Sequence, residues 1–190
     1  MFKKELREIY KNKRADLSLD EIVNLSFKIE EQLMNLLSEI IGNNVNVFLS
    51  SESKKEVQTS SMIDGLLTQK KSVSVPVSNY KKLSITASLY KKGDSLTEDQ
   101  FGIPAPTNTF IIDPKAIDIV VVPLLCFDKK GYRCGYGKGM YDRFLSKCNP
   151  NVITIGLSFF DAIETISDVN QFDMPMSFVI TSTQTIRLNQ

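Results

Sequence analysis

The twelve residues Gly131-Tyr132-Arg133-Cys134-Gly135-Tyr136-Gly137-Lys138-Gly139-Met140-Tyr141-Asp142 are the part of this sequence best equipped for chemistry. Four glycines fall within nine residues, and Arg133, Lys138 and Asp142 stand among and beside them. Alternating glycines let successive backbone N–H groups turn toward one concavity, a nest for anionic oxygen. Arg133 adds a planar fork of donors and Lys138 a compact point charge. The segment follows the longest apolar run of the chain, residues 118–125, and leads into a helical stretch over 140–148. Ligands of open α/β sheets bind outside the carboxyl ends of the strands, where helix N-termini also favour anions. A plain tight connection is the simpler reading, and the flanking charges tip the balance toward phosphate. No Gly-Lys-Ser/Thr follows, and the third glycine comes one residue too early for the dinucleotide fingerprint, so the phosphate site is of another kind.

The rest of the composition narrows the chemistry. The 190 residues contain no histidine, which removes the usual zinc sites and every histidine-based triad. Carboxylates, cations, metal and backbone remain. Lys plus Arg is 23 against 22 Asp plus Glu, so no global field draws the chain to nucleic acid or an anionic membrane. Cys126, Cys134 and Cys148 form no CxxC pair and are odd in number, which suits reduced thiols in the cytoplasm. The start, Met1-Phe2-Lys3-Lys4-Glu5-Leu6-Arg7, lacks the apolar core of a signal peptide, and no run reaches the roughly 20 residues of a membrane span.

The elements that must position the glycine segment can be read from periodicity. Residues 2–14 carry Phe2, Leu6, Ile9 and Tyr10 at helical spacing among lysines and arginines, which predicts a basic amphipathic helix. Ser18 and Glu21 form a capping box before a second helix with Ile22, Leu25, Ile29, Leu33, Leu36, Leu37 and Ile40 on one face, closed by a left-handed Gly42. Strands are predicted at 45–49, around Val73, Val75 and Val77, at 83–89, 118–125, 152–157 and 178–181, with a further helix over 58–69. Residues 83–89 alternate strictly, as a half-buried antiparallel strand does, whereas 118–125 is apolar throughout, as a central parallel strand is. With no repeat or linker, the sequence predicts one three-layer α/β/α domain over residues 1–190 with a mixed, mostly parallel sheet.

The run VVPLLCFDKKGYRCGYGKGMYDRFL within residues 118–145 resembles the 5-formyltetrahydrofolate cyclo-ligase family. The likeness extends to Lys3-Lys4-Glu5-Leu6-Arg7, Phe48-Leu49-Ser50, Glu56-Val57-Gln58-Thr59, Val75-Pro76, Phe101-Gly102-Ile103-Pro104 and Thr154-Ile155-Gly156-Leu157, with Asp173 downstream. The resemblance implies ATP-dependent conversion of 5-formyltetrahydrofolate to 5,10-methenyltetrahydrofolate, with Mg²⁺ as cofactor and ADP and phosphate released. It implies that Lys3, Lys4, Arg7, Arg133, Cys134, Gly135, Tyr136, Gly137, Lys138, Gly139, Met140 and Tyr141 meet the ATP, Arg133 and Lys138 acting in catalysis. Leu49, Glu56, Tyr136, Gly137, Lys138, Gly139 and Met140 would face the folate, and Asp142 and Asp173 the metal. Asp142 reads equally well, from the sequence alone, as a first-turn residue facing a helix dipole. Two positions depart from the family pattern: Met140 stands where an aromatic is frequent, and Ala105 where Glu is common.

The expected partners are therefore two small molecules, with no nucleic acid and no membrane, and the expected assembly is a monomer or weak dimer. Two rivals remain. A sugar-phosphate or acyl-CoA enzyme of similar architecture would need no ATP, and an RNA-binding accessory protein would use the basic N-terminal helix with Tyr132 and Tyr136 for stacking.

Overall fold

The computed structural model describes residues 1–188. The chain opens with helix α1 (Lys3–Ala15), whose Leu6, Tyr10 and Arg14 recur every fourth residue on its buried face. Helix α2 (Leu19–Glu39) starts at the predicted capping box: Glu21 N–H donates to Ser18 Oγ, and Ser18 N–H donates to the Glu21 carboxylate. Its end differs from expectation. Ile40 is already extended, and Gly42 does not take a positive φ. Gly42 serves close approach instead, since a Cβ there would lie 2.8 Å from Ile119 Cδ1.

Strand β1 (Asn44–Val47), helix α3 (Ser60–Thr68) and strands β2 (Ser72–Asn79) and β3 (Ser84–Leu89) follow as the patterns predict. The short β4 (Leu96–Glu98), β5 (Pro104–Pro106) and β6 (Ile111–Ile112) come next, and then β7 (Ile119–Pro123). Beyond it lie β8 (Cys126–Phe127), β9 (Arg133–Cys134), helix α4 (Met140–Leu145), β10 (Ile153–Leu157), β11 (Phe178–Ile180) and β12 (Thr185–Arg187). The glycine segment thus leaves the sheet through a small β8–β9 ribbon rather than directly from β7, and α4 is six residues long, ending before the predicted 148.

Eight strands form one sheet in the order β12-β11-β10-β7-β1-β2-β3-β6. The β2-β1-β7-β10-β11 block is parallel, while β3, β6 and β12 run antiparallel at the margins. The sheet is mixed and mostly parallel, as predicted. β7 sits at its centre because both its faces are covered. Ile119 and Val121 pack with α2 and α3 against Val45, Val47, Val73 and Ile155. Val120 and Val122 face Phe127, Met176 and the Met140, Phe144 and Leu145 side chains of α4. Each of these four β7 residues is fully buried, and burial of such a side chain stabilises by about 1.5–3 kcal/mol.

A third, smaller apolar cluster joins α1 to the ribbon: Leu6 and Tyr10 pack on Leu125, Cys126, Cys134 and Ile166. Helix α1 therefore rides on the ribbon that feeds the glycine segment, not on the main sheet. Cys126 and Cys134 face each other across the ribbon as buried fillers, and all three cysteines are free. Among the described residues no helix is long and apolar enough to cross a membrane.

The ribbon's turn depends on Gly131, at φ 88°, whose N–H donates to Asp128 O and whose carbonyl accepts from Met176 N–H. An added Cβ would meet Leu188 Cδ1 at 2.8 Å and the Met176 carbonyl at 3.1 Å. Gly131→Ala is expected to lose about 1–3 kcal/mol, the typical cost of a strained backbone position, as a lower urea midpoint with unchanged slope; an unchanged midpoint would show that the turn relaxes freely.

Candidate functional site

A cavity of about 590 Å³ opens at the C-terminal ends of the parallel strands. Phe48 and Leu49 reach it from the end of β1, Pro76 and Ser78 from β2, and Pro123 from β7. The β4–β5 hairpin supplies Phe101, Ile103 and Pro104, the glycine segment supplies Gly135 to Asp142, and the chain after β10 supplies Asp168, Asn170 and Asp173. The position is the one expected for an open α/β sheet.

Helix α1 presents Lys3, Arg7 and Lys11 to the cavity, one residue per turn along a single face. Lys4 is turned away from that face and is exposed, so it does not join the site. Cys134 is likewise outside the cavity. It is fully buried under α1, with Sγ 3.4 Å from the Lys3 carbonyl. All the other predicted ligand-facing residues line the one cavity: Lys3, Arg7, Leu49, Glu56, Arg133, Gly135, Tyr136, Gly137, Lys138, Gly139, Met140, Tyr141, Asp142 and Asp173.

The glycine segment is held from α1. Arg7 Nε donates to Gly135 O at 3.0 Å, and the Arg7 guanidinium lies so close over Gly137 that a Cβ there would sit 3.0 Å from its Cζ. Gly137 also takes φ 93°, which a side chain would oppose. Lys138 is exposed and forms no ion pair among the described residues. Its Nζ rests instead 4.2 Å from the Phe101 ring centroid and 4.5 Å from that of Tyr80. Cation–π contacts of this kind contribute about 0.5–1 kcal/mol at an exposed site, so Lys138 is steadied but not neutralised.

Arg133 is differently placed. It is 9% exposed, and its fork is committed: Nη1 donates to Met174 O at 2.8 Å and Nη2 to Asp142 Oδ1 at 2.7 Å. Burial pulls its pKa down, and Asp142 opposes that pull. Lys3 Nζ pairs with Asp173 Oδ2 at 2.5 Å, while its backbone N–H donates to Asp168 Oδ1. Each of the two candidate metal carboxylates is thus anchored through one oxygen. Met174 N–H also donates to Asp142 Oδ1 and Asn170 N–H to Asp173 Oδ2, whereas Asp142 Oδ2 and Asp173 Oδ1 accept no hydrogen bond among the described residues. Two part-exposed carboxylates, each with a free oxygen in the same cavity, match the demand of Mg²⁺ for one or two carboxylates plus water and phosphate. Among the described residues no cluster of three or more acidic or cysteine side chains makes a closed metal cage.

The opposite wall is built around Glu56, 8% exposed. Its Oε2 accepts Ser51 N–H at 2.9 Å and its Oε1 accepts the Tyr136 hydroxyl at 2.7 Å. Burial, and then the Glu56 charge, push the Tyr136 phenol up. Tyr141 lines the cavity with a buried hydroxyl that has no partner among the described residues, and burial raises its pKa as well. Tyr132 and Tyr136, the aromatics that RNA stacking would need, are half-buried against the α1 cluster.

Several lining residues escape the sequence reading. Lys54 follows β1 on a short 3-10 turn and points its Nζ at the Tyr136 ring, 5.2 Å from the centroid. Burial lowers its pKa, with Lys138 and Lys11 acting in the same direction against Glu56 and Asp99. Tyr80 donates to Asp99 Oδ2 at 2.7 Å, and burial followed by that bond pushes its phenol up to about 12. Lys11 had a signal in the spacing Lys3, Arg7, Lys11; Lys54 and Tyr80 had none. In all, six cations and four carboxylates line the cavity, so its field is positive and favours an anion.

The model of the 5-formyltetrahydrofolate cyclo-ligase family matches residues 1–182. The 5-formyltetrahydrofolate cyclo-ligase of Haemophilus influenzae is 30% identical over 159 residues, covering 82% of either chain. The solution structure of Aquifex aeolicus 5,10-methenyltetrahydrofolate synthetase aligns with 100% of this chain and 94% of its own, at a TM-score of 0.83 and 28% identity. The 5,10-methenyltetrahydrofolate synthetase of Mycoplasma pneumoniae, 24% identical, shares the fold at a TM-score of 0.72 over 96% of this chain and 99% of its own. A match of that length, carried by the same glycine segment and N-terminal helix that build the cavity, means that this chain is an enzyme belonging to the 5-formyltetrahydrofolate cyclo-ligase family.

Proposed function

We propose that the chain converts 5-formyltetrahydrofolate to 5,10-methenyltetrahydrofolate at the expense of ATP, with Mg²⁺ bound, releasing ADP and phosphate as one cytoplasmic domain. The observation that carries this reading is the polarity of the single cavity. At one end the glycine segment brings Lys138 together with Arg7 and Lys3; at the other, Glu56 and Tyr136 face the apolar Phe48, Leu49, Phe101 and Pro104. A polyanion fits the first end, and a flat, donor-rich heterocycle fits the second, where Glu56 accepts its N–H groups.

The reaction asks for alignment more than for a protein base. The formyl oxygen attacks the γ-phosphorus in line, and the bond to the bridging oxygen breaks, leaving ADP. The folate N10 then attacks the activated carbon, its proton departs, and the C–O bond breaks to give phosphate and the methenyl ring. Lys138 and Arg7 act on the charge that grows on the transferred phosphoryl oxygens, and holding the two substrates together replaces a bimolecular encounter. Asp142 and Asp173 would hold Mg²⁺ through their free oxygens; when bound, the ion neutralises phosphate charge. Arg133 keeps Asp142 in place from behind, and the orphaned Tyr141 hydroxyl has a donor to offer the ligand.

A direct assay follows the methenyl product by near-ultraviolet absorbance. Product is expected only when folate, ATP and Mg²⁺ are all present, and chelation by EDTA should abolish turnover; equal rates without ATP would sink the reading and favour a sugar-phosphate or acyl-CoA substrate. Lys138→Ala should lower kcat by about 10²-fold, the usual loss on removing one preorganised charge donor, with the thermal midpoint nearly unmoved because the side chain is exposed. Normal turnover in that variant removes Lys138 from the mechanism. Arg133→Ala is a poorer probe, since deleting one partner of a buried pair costs about 3–5 kcal/mol of stability in addition to any effect on ATP.

A further inference from the structure

Arg14 lies outside the cavity and is 5% exposed, yet no carboxylate pairs with it among the described residues. Its Nη1 donates to the Tyr136 hydroxyl at 3.0 Å, its Nη2 donates to the Leu124 carbonyl, and its Nε is buried with no partner. A buried guanidinium served by neutral acceptors alone is costly and needs a reason. Its nearest counter-charge in the hydrogen-bond chain is Glu56, reached across one hydroxyl.

The chain of donors has only one consistent direction. Arginine donates and never accepts, so the Tyr136 oxygen must accept from Arg14, and its single proton is thereby committed to Glu56 Oε1. Ser51 N–H fixes the other carboxylate oxygen. Tyr136 sits between Gly135 and Gly137, where the backbone itself imposes little restraint. Its ring must therefore be held through its side chain. Arg14 stands two helical turns beyond Arg7, which grips the carbonyl of Gly135, so one face of α1 holds adjacent residues of the glycine segment at two points.

We propose that Arg14 is a positioning residue for the substrate end of the site, fixing Tyr136 and through it the ionised Glu56 that receives the folate ring. The proposal rests on the folate reading above. It predicts a selective defect: the cation acts on one wall, so folate binding suffers while the phosphate end is spared.

The test is a double-mutant cycle between Arg14→Met and Tyr136→Phe, read as KM for each substrate and as kcat. Arg14→Met is expected to raise KM for 5-formyltetrahydrofolate by about tenfold, the worth of one charge-assisted hydrogen bond, with KM for ATP unchanged. In the Tyr136→Phe background the same substitution should cost less than about threefold, because the group through which Arg14 acts is gone. Arg14→Lys, which keeps one donor and the charge, should restore most of the loss. Should Arg14→Met not fold, Arg14→Gln carries the same cycle. Equal costs in both backgrounds, or matching rises in both KM values together with a lowered thermal midpoint, would reduce Arg14 to a structural residue. A wild type that turns over folate while the cycle is purely additive overturns this proposal alone; a wild type without turnover removes the folate reading and this proposal together.

Discussion

Like charges crowded into one cleft repel, and two of them about 6 Å apart at an effective dielectric of about 20 do so by about 3 kcal/mol. Six cations line the cavity of this protein against four carboxylates, and the rest of the structure serves to hold them there. Each is restrained differently. Lys3 and Arg133 are bound to Asp173 and Asp142, Arg7 is latched to the carbonyl of Gly135, and Lys138 and Lys54 lie on aromatic rings. The depressed pKa of Lys54, owed first to burial and then to Lys138 and Lys11, records a field waiting for an anion. Binding a polyphosphate removes that repulsion, so part of the affinity comes from strain that the empty site already carries.

The restraint is built into the fold at low cost because α1 does not belong to the main sheet. Its Leu6 and Tyr10 pack on the ribbon that leads into the glycine segment, so the cations on its neighbouring face share a rigid body with the backbone they assist. Were α1 docked instead over α2 or α3, Lys3 and Arg7 would have to cross the sheet to reach the same place. The ribbon itself is aimed by Gly131 and sealed by Cys126 and Cys134, whose small side chains let the helix approach closely.

Much of this was legible in the sequence, and the residues show why. β7 was readable because a strand covered on both faces has no polar side to alternate, and the glycine segment because such spacing has few other uses. Helix α1 gave its buried face through Leu6 and Tyr10. The placement of Lys4 and Cys134 was not readable from a motif, because a motif does not say which residues of a matched stretch turn inward; one helical step rotates Lys4 to solvent, and strand alternation turns Cys134 under the helix. Gly42 misled because a glycine after a helix usually caps it, whereas here contact with Ile119 requires its bareness. The β4–β5 hairpin, short and proline-bounded, has no periodicity to reveal it, yet it delivers Phe101, Ile103 and Pro104 to the cavity. Lys54 and Tyr80 belong to the same class of residue, brought in by tertiary packing from segments with no local signature.

The absence of histidine follows from the same arrangement. A site that activates a weak nucleophile needs a base of matched pKa, and that base must titrate near neutrality. Here the attacking oxygen comes with the substrate, so the protein has to fix charges and exclude alternatives, tasks for which permanently ionised or permanently protonated groups serve better. The groups in contact with one another are of that kind: Arg7, Arg14 and Arg133 stay charged, while the phenols of Tyr80, Tyr136 and Tyr141 are raised by burial and remain donors. A polar network whose members do not change protonation keeps one hydrogen-bond direction from Arg14 through Tyr136 to Glu56, and so presents the same wall to the substrate through each turnover.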